Sequence, residues 1–483
     1  MKSKEFSDAL GNIDERYISE AATYKSTKKS KNWIKWVSLA ACVCVVASST
    51  LVAYKKGWFT PTDVNEQEEI NANLGNEDHT ANIGNPNNEL PSQVEFQNLM
   101  EGVTPNYVAQ RENMSRENAV ATDFALRLFK QANQNGKNTL ISPVSVLYAL
   151  AMTANGAEGE TRAQMERVLG MSVEELNIYL YSYMQSLPQG KKSKISIANS
   201  IWINDIERFN ANQEFLQKNA DYYGADIYKT RFSDKALKNI NNWVNNKTDG
   251  MIPSILNEIP DEAVMYLINA LVFDAEWANK YTKSDILKGY FTKEDGTRQT
   301  VEFMHSDEQY YIEDENAKGF IKEYAYGQYA FVALLPNEDI TVFDYLNTLD
   351  GSSLSQMLQN QKLKTIKASM PKFEVEYESE MSSILKAMGM TDAFNNLLAD
   401  FDGIGKSDAG NIHISEVTHK TFIKVDEIGT KAGAATSVGL EDEGMMPPEE
   451  IIKINLNRPF VYMIIDCENN IPLFIGTMMD VEG

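Results

Sequence analysis

The chain has 483 residues, 43% of them apolar and 23% charged, which is enough to bury a large hydrophobic core. Its formal net charge of -23 excludes a nucleic-acid partner, because phosphate binding needs a basic stripe and none follows the N-terminus. Three cysteines and four scattered histidines form neither a disulfide framework nor a metal-ligand spacing, so no metal and no cofactor is expected.

Residues 1–35 are polar and helix-prone, with no nameable chemistry. Trp36 to Tyr54 is a 19-residue stretch without a charge, near the shortest length that spans hydrocarbon. Lys25, Lys28, Lys29, Lys31 and Lys35 precede it, and only Lys55 and Lys56 follow. That excess predicts a single-pass anchor at the cell membrane, residues 1–35 in the cytoplasm and the rest outside. A cleaved secretory signal is the alternative, since Ala47-Ser48-Ser49 offers small residues for cleavage. Residues 55–105 read as a linker. Gly57 to Pro105 holds nine acidic residues and no Lys or Arg, too polar to order itself. As a disordered stalk it would hold the next domain about 35–42 Å from the membrane.

Residues 106–483 have the composition of one packed domain. Helical spacing comes first, in Phe124, Leu128 and Phe129, then Val144, Leu147, Tyr148 and Ala151, then Met165, Val168 and Leu169. Strand-like runs follow at Ile195–Ile203, Tyr329–Leu335, Lys364–Tyr377, Lys420–Val425 and Val461–Ile465. Phe331 to Leu335 is apolar throughout, as in a sheet covered on both faces. Phe460-Val461-Tyr462 and Leu473-Phe474-Ile475 predict a late hairpin in the core.

A series of motifs then acquires meaning together. Asn138-Thr139-Leu140-Ile141-Ser142-Pro143-Val144-Ser145 is followed by Gly156-Ala157-Glu158-Gly159-Glu160-Thr161 and Ala198-Asn199-Ser200-Ile201-Trp202. Ile240-Asn241-Asn242-Trp243-Val244 comes next, with Thr248, Gly250 and Ile252, then Asn269-Ala270 with Phe273 and Trp277. Phe303-Met304, Met370-Pro371-Lys372-Phe373, and Ile414-Ser415 with Val417, His419 and Lys420 lead to Glu427 and Gly429-Thr430. Arg458-Pro459-Phe460 and Leu473-Phe474-Ile475-Gly476 close the chain. In this order the domain resembles the serpins, as a bacterial membrane-anchored or secreted member. Asp274 and Ala275 depart from the family's usual Lys-Gly.

The resemblance implies a mixed α+β fold with three β-sheets, about nine helices and an exposed reactive-centre loop. It also implies a monomeric protein that is no enzyme but a suicide-substrate inhibitor of serine, and alternatively cysteine, proteases. The target would attack the loop and form an acyl-enzyme, and the cut loop would enter the main sheet as a new strand. Ser142, Ser145, Asn269 and His419 match a polar shutter beneath that sheet.

The hinge can be tested on residue size. An inserting strand turns alternate residues to the core, and they must be small. Counted from Thr430 these are Thr430, Ala432, Ala434, Thr436 and Val438, with Lys431, Gly433, Ala435 and Ser437 on the other face. Glu427, Gly429, Thr430, Ala432, Ala434, Ala435 and Thr436 therefore form the expected hinge. Ile428, usually Glu in inhibitory members, and Lys431, usually acidic, are departures. The family's spacing from Glu427 puts the reactive bond at Glu443–Gly444, with Asp442 or Met445 as alternatives. Met445 suits an elastase-like protease, and Asp442 or Glu443 an acid-preferring one. A non-inhibitory extracellular binding module and a membrane-anchored regulator acting through residues 1–35 are the competing readings.

Overall fold

A computed structural model describes residues 96–187, 193–205, 209–408, 410–430 and 451–482. The candidate membrane span 36–54 lies outside the described residues, and among those no helix is long and apolar enough to cross a membrane.

Strand β1 (Gln97–Asn98) leads to helix α1 (Ser115–Ala132), strand β2 (Thr139–Ile141) and helices α2 (Pro143–Ala154), α3 (Gly159–Leu169) and α4 (Val173–Ser186). Then come β3 (Ser193–Asn204), β4 (Asn210–Ala211), α5 (Gln213–Tyr223), β5 (Asp226–Thr230), α6 (Asp234–Lys247) and β6 (Met265–Glu276). Strands β7 (Ile286–Thr292), β8 (Arg298–Glu313), β9 (Ala317–Glu323) and β10 (Tyr329–Pro336) precede helices α7 (Val342–Thr348) and α8 (Gly351–Gln359). The remainder is β11 (Lys362–Pro371), β12 (Phe373–Glu380), α9 (Ser382–Ala387), β13 (Gly405–Lys406), β14 (Glu416–Val425), β15 (Gly429–Thr430), β16 (Ile452–Asn455), β17 (Phe460–Asp466) and β18 (Ile471–Met478).

Local chemistry sets the boundaries. Pro143 starts α2 at a position that needs no amide donor, and the Ser142 side chain caps it by accepting from the Ser145 amide. Ser172 and Glu175 form a reciprocal capping box that opens α4. All twelve residues of α2 are buried, as the apolar run Val144 to Ala154 requires.

The strands form three sheets, as expected, among nine helices of the described residues. The seven-stranded sheet runs β1-β5-β3-β6-β15-β14-β12. The nine-stranded sheet runs β16-β11-β8-β9-β10-β17-β18-β2, with β7 added on β8, and β13 and β4 make a separate pair. The β17–β18 hairpin forms as the late apolar runs predict. A large core fills the space between the sheets and the first four helices. A smaller one, with Trp202, Ile240, Val244, Tyr266 and Ile268, lies between α6 and the other face of the seven-stranded sheet.

Two expectations need correction. The folded domain begins at or before Phe96, so the linker does not extend to 105. Gln97 and Asn98 pair with Lys229 and Tyr228, the Leu99 amide donates to Ile227 O, and Phe96 packs 5.3 Å from the Tyr228 ring. A few apolar side chains anchor a segment whose average composition is that of a linker. The run Lys364–Tyr377 is also two strands rather than one. The chain leaves the nine-stranded sheet at Pro371 and joins the seven-stranded sheet at Phe373, with Lys372 at the crossing.

Candidate functional site

Strands β6 and β14 are parallel neighbours from the Tyr266–Glu416 pair up to the Val272–Phe422 pair. Above that level they part, and β15 enters between them. Gly429 pairs with Glu276 and Thr430 with Ala275 on one side, while Thr430 pairs with Val425 on the other. Both pairings are antiparallel. The main sheet is thus opened by two residues at one end and closed below.

The turn into β15 is built by Asp426, whose carboxylate accepts from the amides of Ile428 (2.9 Å) and Gly429 (3.3 Å). Trp277 holds the same turn, its indole N–H donating to Asp426 O at 2.8 Å and its amide to Ile428 O at 2.9 Å. Lys372 bridges Glu427 (2.8 Å) and Glu302 (3.1 Å). The Lys372 hydrogen bond lowers the Glu427 carboxyl below its ordinary range. Burial opposes the charge on Lys372, but Glu427 and Glu302 outweigh it and raise its ammonium. Position 429 admits only glycine, because a Cβ there would lie 2.0 Å from Ala275 O and 2.7 Å from Glu276 Cα. Thr430 is fully buried, its hydroxyl 2.5 Å from that of Tyr324, which stacks on Trp277 at 4.4 Å. Burial pushes the Tyr324 phenol upward, so it stays neutral.

The four residues expected to form a shutter lie in one hydrogen-bonded cluster. Ser142, Ser145, Asn269 and His419 are all fully buried. His419 Nε2 accepts from the Ser142 amide at 3.0 Å, so the ring proton sits on Nδ1, 2.5 Å from Asn269 Oδ1. Asn269 Nδ2 donates to Ser145 Oγ and to Asn199 Oδ1, both at 2.6 Å. Burial lowers the His419 pKa to about 3, so the imidazole is neutral at ordinary pH. This cluster joins α2, β3, β6 and β14 directly below the opening, and carries no exposed nucleophile or base.

Of the expected hinge, Glu427, Gly429 and Thr430 are placed at the mouth of the opening. Ala432, Ala434, Ala435 and Thr436, and the reactive-bond positions Asp442, Glu443, Gly444 and Met445, lie outside the described residues. Sequence reasoning missed Asn199, Lys372 and Tyr324 as members of the site. Asn199 carried a signal, a polar residue in the run Ile195 to Ile203; Lys372 stood inside a recognised motif; Tyr324 carried none.

Comparison with known proteins agrees with this geometry. The family model described as Serpin (serine protease inhibitor) matches residues 119–481. An uncharacterised serpin-like protein of Thermococcus kodakarensis is 29% identical over 419 residues, covering 84% of this chain and 95% of that protein. The human leukocyte elastase inhibitor is 30% identical over 381 residues, covering 75% of this chain and 99% of the inhibitor. The native-state structure of the thermophilic serpin tengpin is 50% identical, with a TM-score of 0.77, covering 80% of this chain and all of that one. Its latent-state structure gives a TM-score of 0.69 at 49% identity, covering 77% and 100% of the two chains. Fold and family match coincide over the stretch that also holds the buried polar cluster and the turn into β15: the chain belongs to the serpin family.

Proposed function

We propose that this protein is a suicide-substrate inhibitor of serine proteases. The observation that carries the reading is β15, which enters the sheet antiparallel to both β6 and β14. A strand that continued it would retreat one residue along each neighbour per step, bringing Thr436 between Asn269 and His419. These two residues now bond to each other across the closed sheet, at 2.5 Å. An entering Thr hydroxyl both donates and accepts, so it can replace that bond without orphaning a buried polar group.

The chemistry is the protease's. Its serine oxygen attacks the carbonyl carbon of Glu443, or of Asp442, Gly444 or Met445 in the alternative registers. The peptide C–N bond breaks, and the amine of the following residue leaves as a new N-terminus with the proton taken from the serine. Insertion of the small-residue hinge then carries the acyl-enzyme away before water can hydrolyse it. The acidic run Glu441-Asp442-Glu443 favours a cationic or acid-preferring target, and Met445 an elastase-like one. Leukocyte elastase inhibitors among the relatives agree with the second. Residues 36–54 would hold the inhibitor at the cell membrane with its serpin domain outside, or be removed on secretion.

The test is incubation of the full chain with a panel of serine proteases, read as SDS-stable complexes. At least one protease should give a complex. Ala434→Arg should convert the same protein into a cleaved substrate, since an arginine on the core-facing side blocks entry. Cleavage without complex by every protease would favour the non-inhibitory reading instead.

A further inference from the structure

Strand β9 carries a lysine where a charge is costly. Lys322 is 2% exposed, and its ammonium lies 2.8 Å from the carboxylate of Glu308 on β8, itself almost buried. An ammonium stripped of water needs a partner for each of its donors. Glu308 is one. The others are ring faces: Nζ lies 4.5 Å from the centre of the Tyr281 ring and 5.4 Å from that of Trp277. The attraction of a cation for a ring face grows as water is excluded.

The same two aromatic residues hold the backbone of the turn into β15. Asp426 O accepts from the Trp277 indole and Ile428 O from the Trp277 amide. The carbonyl between them, Glu427 O, accepts from the Tyr281 amide at 3.1 Å. Three consecutive carbonyls of the turn are therefore held by residues whose rings the ammonium contacts. Ser306 closes the network, its hydroxyl donating to Glu308 at 2.6 Å and lying 3.3 Å from that of Tyr281. With the Ser306 proton committed to Glu308, Tyr281 is the donor to Ser306. Burial pushes the Tyr281 phenol upward, so it keeps the proton this bond needs. Lys372 holds a side chain of this turn, whereas Lys322 acts on its backbone through the two rings.

We propose that Lys322 is a positioning residue for the turn into β15: its ammonium, fixed by Glu308, clamps the Trp277 and Tyr281 rings and so keeps the turn seated in the mouth of the sheet. Without the charge the rings loosen, and the three carbonyls lose their fixed donors. A turn that leaves the mouth delays the start of insertion, and water then has longer to hydrolyse the acyl-enzyme. This consequence for trapping rests on the inhibitory reading; the hold on the turn does not.

The experiment uses the full chain with Lys322→Met and the double variant Lys322→Met/Glu308→Gln. Hydrogen exchange is read at the Trp277 indole and the Tyr281 amide, each relative to amides of the β17–β18 hairpin. Lys322→Met should speed exchange at both sites about tenfold and lower the melting temperature, because Glu308 is left buried without its cation. The double variant removes that lone charge, so its melting temperature should recover while exchange stays fast. That separation marks positioning. Exchange that returns to the wild-type rate together with the melting temperature would reduce Lys322 to a stabilising residue and overturn the proposal. Wild-type exchange rates in Lys322→Met would overturn it as well. If Lys322→Met alone fails to fold, the double variant decides by its exchange rates. With a protease that wild type traps, both variants should consume about threefold more inhibitor per complex formed. Fast exchange with an unchanged ratio would break the link to trapping. A wild type that traps no protease would overturn the inhibitory reading, with the exchange result still deciding the hold on the turn.

Discussion

At the scale of single residues, His419 is the most informative side chain. Its two nitrogens have opposite duties, one accepting from the Ser142 amide and one donating to Asn269. A second proton would turn Nε2 against that amide in a fully buried site. This lowers the folded pKa to about 3, against about 6.5 in the unfolded chain. Between those values the unfolded state binds a proton that the folded state refuses. The group therefore imposes no penalty above pH 6.5, and a growing one as pH falls, about 2 kcal/mol at pH 5 relative to pH 7. Glu416, at the start of the same strand, is pushed up by burial and works in the opposite sense. Only the difference between wild type and His419→Gln isolates the histidine. Urea midpoints at both pH values should show a steeper acid loss in wild type; equal slopes would place the pH dependence elsewhere. The sequence marked all four shutter residues through motif resemblance. It left out Asn199, because a polar residue in a strand does not reveal its partner across the sheet.

At the scale of elements, β15 is two residues long and still decides the state of the sheet. Its entry depends on Gly429, where any side chain would strike the backbone of β6. Gly429→Val should expel the turn and cost about 1–3 kcal/mol, as overpacking does. Thermal melting checks the cost, and hydrogen exchange at the Thr430 amide checks the mechanism, since its protection should be lost with the strand. Retained protection would mean that the sheet had yielded instead. Most elements were legible from periodicity, notably α1, α2, α3, β10 and the β17–β18 hairpin. The division of the run at Lys372 was not, since both halves alternate like strands and nothing local assigns them to different sheets. Nor was β1, where Phe96 and a two-residue pairing tie down a segment of linker composition.

At the scale of the whole molecule, β6 and β14 are in direct parallel contact from the Tyr266–Glu416 pair to the Val272–Phe422 pair, and on the inhibitory reading a further strand would enter there. Full entry of the hinge would add ladder hydrogen bonds on both sides and bury a row of small residues. About ten inserted residues at roughly 1 kcal/mol per net hydrogen bond correspond to a rise of roughly 10 °C or more in melting temperature. Cutting the loop and repeating the melt on the full chain measures this. An unchanged melting temperature would mean that the contact between β6 and β14 does not open.

The sequence by itself determined the class of the domain, most helices and core strands, and the small-residue alternation after Thr430. The class came from the ordered motifs that resemble the serpins; the elements and the alternation follow from local periodicity and residue volume, which neighbouring positions carry between them. Only the tertiary structure decided the register of β15 against β6 and β14, and the membership of Asn199, Lys372 and Tyr324 in the site. Those relations join residues far apart in the chain, as Ser142 and His419 are joined across 277 positions. Strand register is set by pairing across the sheet, and no local pattern encodes which distant residue will stand opposite.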